Sequence, residues 1–344
     1  MMLGPNSIQE ALEKRWMRDK VWSRSLFVRE FLVRARGQFP TPQNGNRAAW
    51  PEDEEGIGQN LTYLFTGHLL KISKILCSVL GDEESIRYLS QTGELTVIDM
   101  ACGAGMASVG IIDFLNQAIK AGIVRRQTPL TVSFVLNDLN EPCVIAAKNA
   151  LEIVRRILGV GNRQMQIGSV SAYTGSVSGI IPFIEETDSR PFDLLFFCNA
   201  FDHVLMYAHK ALEKDPNCSD PIAHARPCDR PAFLAGLLQG LGAYANPMFS
   251  RSVLMQESRH CHLISVALPD RNLRVTHTWM TQETDPPDVS TPTMNVRFAY
   301  CGCRYGFPTM TLSATQEMLP LSSKQSSNTR YSDAATPIVF FDDM

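Results

Sequence analysis

No stretch of the 344-residue chain approaches the ~20 consecutive apolar residues that cross a bilayer, and the start has no apolar core of a secretory leader, so neither a spanning helix nor a cleaved signal is expected. Strong charge of either sign is missing too. With 32 Lys+Arg against 35 Asp+Glu the net charge is -3, which removes any global pull toward nucleic acid or an acidic membrane. Nor is there the low hydrophobicity of a disordered chain, since 44% of residues are hydrophobic and 19% charged. The nine cysteines form no regular framework; Cys77, Cys102, Cys143 and Cys198 sit in apolar runs, where a thiol serves as a small hydrophobe. That pattern favours a reducing compartment, and the cytoplasm is expected, with a mitochondrial location as the alternative that the basic N-terminus allows. Internal repeats are absent.

What is present divides the chain in three. Residues 1–60 read as a helical arm and linker, with Ile8, Leu12, Trp16, Phe27 and Phe31 at helical spacing and nine basic against four acidic residues in the first fifty. Acidic residues are scarce in transit peptides, so the arm is expected in the mature protein rather than in a cleaved presequence. Residues 61–310 read as one α/β domain, and the Ser/Thr-rich stretch 311–344 as a polar tail, with Ile338–Phe341 as a docking peptide. Within the domain, strands at 95–101, 130–136, 165–168, 192–198 and 252–256 alternate with helices at 106–121, 141–158, 201–213 and 231–245. Alternation of this kind predicts a doubly wound, mostly parallel sheet. The segments 263–268, 273–279 and 295–300 alternate polar and apolar residues, which predicts an antiparallel C-terminal edge.

The chemistry concentrates in Val97-Ile98-Asp99-Met100-Ala101-Cys102-Gly103-Ala104-Gly105-Met106, a strand that enters a glycine turn and then a helix. Glycines there permit backbone geometry and an approach that a Cβ blocks, so a flat ligand can lie beside the helix N-terminus. A dinucleotide loop places a third glycine at 108 and an acidic residue about 20 positions on; the chain has Ser108, and its next strand ends later, at Asn137-Asp138-Leu139-Asn140. Ends of the first and second strands are neighbours in such a sheet, and a carboxylate there suits the hydroxyls of a ribose. The plainer alternative for Asp138 is a cap on the helix that follows.

Asp99 to Gly105 resembles motif I of class I S-adenosylmethionine-dependent methyltransferases, and Val135 to Asn140 resembles their next, acidic motif. The resemblance spans roughly residues 95–300 in element order, with only those two motifs specific. It implies S-adenosylmethionine as cofactor, held by Asp99, Ala101, Gly103, Gly105, Asp138, Leu139, Ser169 and Asn199: the glycines against the methionine part, Asp99 at its amino group, Asp138 at the ribose. Family members often carry an acidic residue after strand three, where this chain has Gly168-Ser169-Val170-Ser171. Asn199, Asp202 and His203 follow the fourth strand, where the resemblance sets the transferred methyl, and are the catalytic candidates; a helix cap and an ordinary helix residue are the plain alternatives for Asn199 and His203.

Two further patterns weigh less. His260, His262, Cys301 and Cys303 form a zinc set only if their strands pair, and no metal is expected. Asn137 to Asn140 followed by Lys148-Asn149 is locally similar to some tRNA guanine methyltransferases, so RNA is the second acceptor class after a small molecule. A binding or assembly protein on the same scaffold and a nicotinamide oxidoreductase are the competing functions. The methyl acceptor and the oligomeric state are not encoded in any motif.

Overall fold

A computed structural model describes residues 5–18, 21–22, 24–35, 56–58, 66–159, 164–187, 189–198, 200, 204, 208–226, 230–255, 273–278 and 296–298. A short antiparallel pair, β1 (Met17–Arg18) and β2 (Val21–Trp22), lies in the N-terminal arm. The main sheet contains β3 (Glu94–Met100), β4 (Leu130–Asp138), β5 (Met165–Thr174), β6 (Leu194–Cys198), β7 (Ser250–Met255), β8 (Leu273–Thr278) and β9 (Val296–Phe298), in the order β5-β4-β3-β6-β7-β8-β9. Leu95 to Met100 and Leu194 to Cys198 are buried without a break, which is how strands read when helices cover both faces.

Every pairing in that sheet is parallel. The expected antiparallel edge is therefore corrected: β8 runs parallel to β7 from Ser250↔Leu273 to Met255↔Thr278, and β9 runs parallel to β8. Residues 256–272 and 279–295 join these strands, and each connection exceeds the dozen residues that a parallel crossover needs. Polar/apolar alternation reports one open face, and an outer strand has such a face whatever its direction.

The sheet winds outward from β3 both ways, so the order reverses between β3 and β6. Ligands of open α/β sheets bind outside the carboxyl ends of the strands at such a reversal. Helices α3 (Thr66–Val79), α4 (Glu83–Gln91), α5 (Met106–Lys120) and α6 (Glu141–Gly159) contribute to the larger core, while α7 (Ile180–Glu186) and α10 (Arg230–Leu241) pack a second core on the other face around Phe197 and Met100. Two short helices, α8 (Lys210–Lys214) and α9 (Pro221–His224), lie between β6 and α10.

The arm is part of the larger core. Leu12, Trp16, Val28 and Phe31 of the segment that includes α1 (Pro5–Glu13) and α2 (Leu26–Ala35) are buried there, and Trp16 stacks on Phe114 of α5 at 6.3 Å. Asp113 of α5, fully buried, accepts hydrogen bonds from Trp16 Nε1 at 2.9 Å, Ser25 Oγ at 2.7 Å and Gln117 Nε2 at 3.1 Å. The described N-terminal helices are thus built into the helical layer rather than standing as a separate cover. No helix among the described residues is long and apolar enough to cross a membrane.

Candidate functional site

β3 ends in a tight turn whose backbone is left-handed three times, at Ala101 (φ 49°), Gly103 (φ 52°) and Gly105 (φ 78°). Left-handed geometry is strained for alanine by ~1–2 kcal/mol. Two backbone hydrogen bonds hold the turn, Cys102 N to Asn137 O at 2.8 Å and Gly105 N to Cys102 O at 2.9 Å, so the first bond ties it to the end of β4.

The two glycines do different work. A Cβ on Gly103 meets nothing within 4 Å, whereas one on Gly105 stands 3.0 Å from the Cα of Ala147 in α6. Gly105 lets α6 approach the turn, while the space beside Gly103 is open.

Asp138 closes β4 and turns back onto the glycine turn. Its Oδ2 accepts from Gly103 N at 3.0 Å and its Oδ1 from Asn140 N at 2.9 Å. The second bond is the local turn of an Asx residue bonding two positions on; the cap of α6 itself falls to Asn140, whose carbonyl receives Cys143 N and Val144 N. Burial pushes the Asp138 carboxyl up from its ordinary value, opposed by the Asn140 and Gly103 amides, the Lys214 ammonium and the Cys143 thiol.

Asp99 faces the other way. Its Oδ2 accepts from Ser108 N at 3.1 Å and Ser108 Oγ at 2.6 Å, and the amide belongs to the first turn of α5, whose leading residue Gly105 offers no side-chain cap. Asp99 caps α5 from the preceding strand, with its charge at the positive end of the helix. Burial raises its carboxyl to about 7, against the Ser108 bonds. Ser108, fully buried, stands where a dinucleotide loop has its third glycine.

Ser169 lies at a bulge in β5. Val132 pairs with Ile167 but Phe134 pairs with Val170, so β5 carries one extra residue at 168–169 and continues to Thr174, opposite Asp138. A Cβ on Gly168 stands 2.5 Å from Ser133 Oγ; the glycine marks a close strand approach, not the strand end. Ser169 therefore lies roughly 17 Å along the strand from its carboxyl end, at about 3.3 Å per residue. At that end stand Gly175, whose N–H donates to Asp138 O at 2.9 Å, and Ser176 and Ser178, both bonded to Asp220 from the N-terminus of α9.

Asn199, Asp202 and His203 lie outside the described residues, as do His260, His262, Cys301 and Cys303. Ala200 is buried in the second core, and Val204 N bonds Ala200 O at 2.8 Å. Leu139 is half-buried, and its carbonyl accepts from Lys214 Nζ at 3.2 Å. Ala101 is half-buried against the second core.

Two contributors escaped sequence reasoning. Asn137, fully buried, donates through Nδ2 to Tyr173 O at 3.3 Å and Gly175 O at 3.0 Å, while its Oδ1 has no hydrogen-bond partner; a polar residue just before the strand-ending Asp138 was the available signal. Lys214 has no local signal, because it is placed by the path of the chain between β6 and α10. Beside Ser178 a cavity of about 440 Å³ is lined by Ser178, Pro221, Phe233, Gly236 and Leu237; a volume of this size suits a small molecule.

No protein-family model matches the chain, and no curated protein does. Among solved structures, the chain is similar to a Plasmodium falciparum protein assigned as a protein-L-isoaspartate O-methyltransferase (beta-aspartate methyltransferase), in complex with S-adenosyl-L-homocysteine, at 12% identity and a TM-score of 0.26 over 58% of this chain and 74% of that one. With so loose an overlap, the fold assignment rests on the strand order and register above.

Proposed function

We propose that the chain is an S-adenosylmethionine-dependent methyltransferase whose nucleoside site lies between the turn after β3 and the carboxylate that closes β4. The single observation carrying this is the 3.0 Å bond from Gly103 N to Asp138 Oδ2, because it joins an open glycine turn and a carboxylate at the reversal of strand order. The residues fit a nucleoside. The space a Cβ would fill at Gly103 is empty to 4 Å. The Asp138 oxygens accept two amide N–H groups and the Cys143 thiol, which leaves one of a carboxylate's roughly four acceptor positions for a ribose hydroxyl. Strand order alone suits dinucleotides equally well; the buried Ser108–Asp99 bonds, in place of a third glycine, favour a single nucleoside.

When bound, S-adenosylmethionine supplies a methyl group activated on a sulfonium. The protein then has mainly to orient the acceptor and remove a proton where one must leave. Asn199, Asp202 and His203 follow β6 in the sequence, and His203 is the side chain suited to accept that proton near neutral pH. A small-molecule acceptor is favoured over RNA, since the described residues that line the cavity beside Ser178 include no cation and the chain as a whole is acidic. A non-catalytic binding protein on the same scaffold is the second reading, favoured by the closure of Asp99 beneath Ser108.

Titration calorimetry with S-adenosylmethionine, S-adenosylhomocysteine and NAD separates these. Binding of the first two, weakened about tenfold or more by Asp138→Ala through loss of charged hydrogen bonds, is the expected result. Binding of NAD alone, or of none of the three, overturns methyl transfer. Cofactor binding without turnover on any acceptor leaves the binding protein.

A further inference from the structure

The chain leaves β6 at Cys198 and by Lys214 has come back past β3 to the end of β4. There the Lys214 ammonium donates to Leu139 O at 3.2 Å and to Asn140 Oδ1. Both acceptors belong to the turn that Asp138 opens and braces through Asn140 N. One lysine from the far side of the strand-order reversal thus grips the two residues after the carboxylate proposed to hold the ribose.

We propose that Lys214 is a positioning residue for Asp138: it locks the turn 138–140 in the shape that points the carboxylate at Gly103, and it supplies the one cation among the described groups facing that carboxylate. Those groups are the Gly103 amide and Cys102 thiol from the turn after β3, Asp99 from β3, the Asn140 amide and Cys143 thiol from the start of α6, and Lys214 from α8. Asp99 and both thiols are neutral or negative in every protonation state. Lys214 accordingly favours the ionised carboxylate, as the direction of its effect on Asp138 indicates. Asn140 has a second task, since its carbonyl starts α6, so the lysine also couples the segment after β6 to the entry of that helix.

This inference rests on the nucleoside reading of Asp138, and two measurements keep the two apart. Calorimetry with S-adenosylhomocysteine across pH 6 to 9, on the full chain and on Lys214→Met and Lys214→Arg, reads the ligand. Lys214→Met is expected to weaken binding by roughly three- to tenfold at neutral pH and to move the affinity midpoint to higher pH, with Lys214→Arg close to the parent, a range that matches a partly exposed charge. Weakening equal at every pH, or none while the parent binds, overturns the role of Lys214 and leaves the nucleoside site standing. No binding by any of the three overturns both. Carboxyl ¹³C titration of the ligand-free protein, with the Asp138 resonance identified by its loss in Asp138→Asn, reads the carboxylate directly: an unchanged midpoint in Lys214→Met overturns the counter-ion role whatever binds.

Discussion

Gly103 and Gly105 stand two residues apart with nearly the same left-handed backbone, and what each hydrogen replaces sets them apart. At Gly103 a methyl enters empty space, so Gly103→Ala is expected to lose about 1–2 kcal/mol of stability from backbone strain alone, while S-adenosylhomocysteine affinity falls much further. At Gly105 the methyl meets the Ala147 backbone at 3.0 Å, which adds an overpacking cost of about 1–3 kcal/mol to the same strain. Urea unfolding of both variants checks the contrast, and a larger stability loss at Gly103 than at Gly105 sinks the assignment of space. Asp99 and Asp138 divide similarly: both stand near the carboxyl ends of neighbouring strands, yet one caps the helix beneath and the other faces the turn. Residue identity announces a carboxylate at each place. Its direction depends on which amides the neighbouring loop presents.

At the scale of elements, the N-terminal arm carries the clearest difference between pattern and role. Its basic residues suggest an accessory surface, but Trp16, Phe31 and the Asp113 hydrogen bonds make it a wall of the larger core. Phe31→Ala is expected to destabilise the whole domain by about 3–5 kcal/mol, and removal of residues 1–35 to abolish cooperative unfolding, followed by circular dichroism. A truncated chain that unfolds as sharply as the full one refutes the integral arm. Strand β5 teaches the same caution about punctuation. Gly168 looks like a strand end, but a bulge absorbs it and the strand continues to the level of Asp138, so the residues beyond its carboxyl end are Gly175 and Ser176.

Among the described residues, burial raises four carboxyls, those of Asp99, Asp113, Asp138 and Asp193, above their ordinary values. A carboxyl that binds its proton more tightly when folded gives a native state holding more protons than the unfolded chain, so stability falls as pH rises through the window and the loss is complete above the folded value. For Asp99 that window runs from about 4 in the unfolded chain to about 7 in the folded one, with a slope of at most ~1.4 kcal/mol per pH unit. Urea midpoints are therefore expected to be higher at pH 5 than at pH 8, and Asp99→Asn to shrink the difference; an unchanged difference removes Asp99 from the account. Local sequence settled the alternation of strands and helices, the glycine turn, and the presence of carboxylates near the ends of β3 and β4, because apolar periodicity and left-handed backbone are local demands that nearby residues must meet. Tertiary structure alone decided the direction of the outer strands, the continuation of β5 through its bulge, the inward turn of Asp99 and the arrival of Lys214 beside Asp138. Each of those depends on which segments, distant along the chain, share one edge of the sheet, and no window of sequence contains both partners.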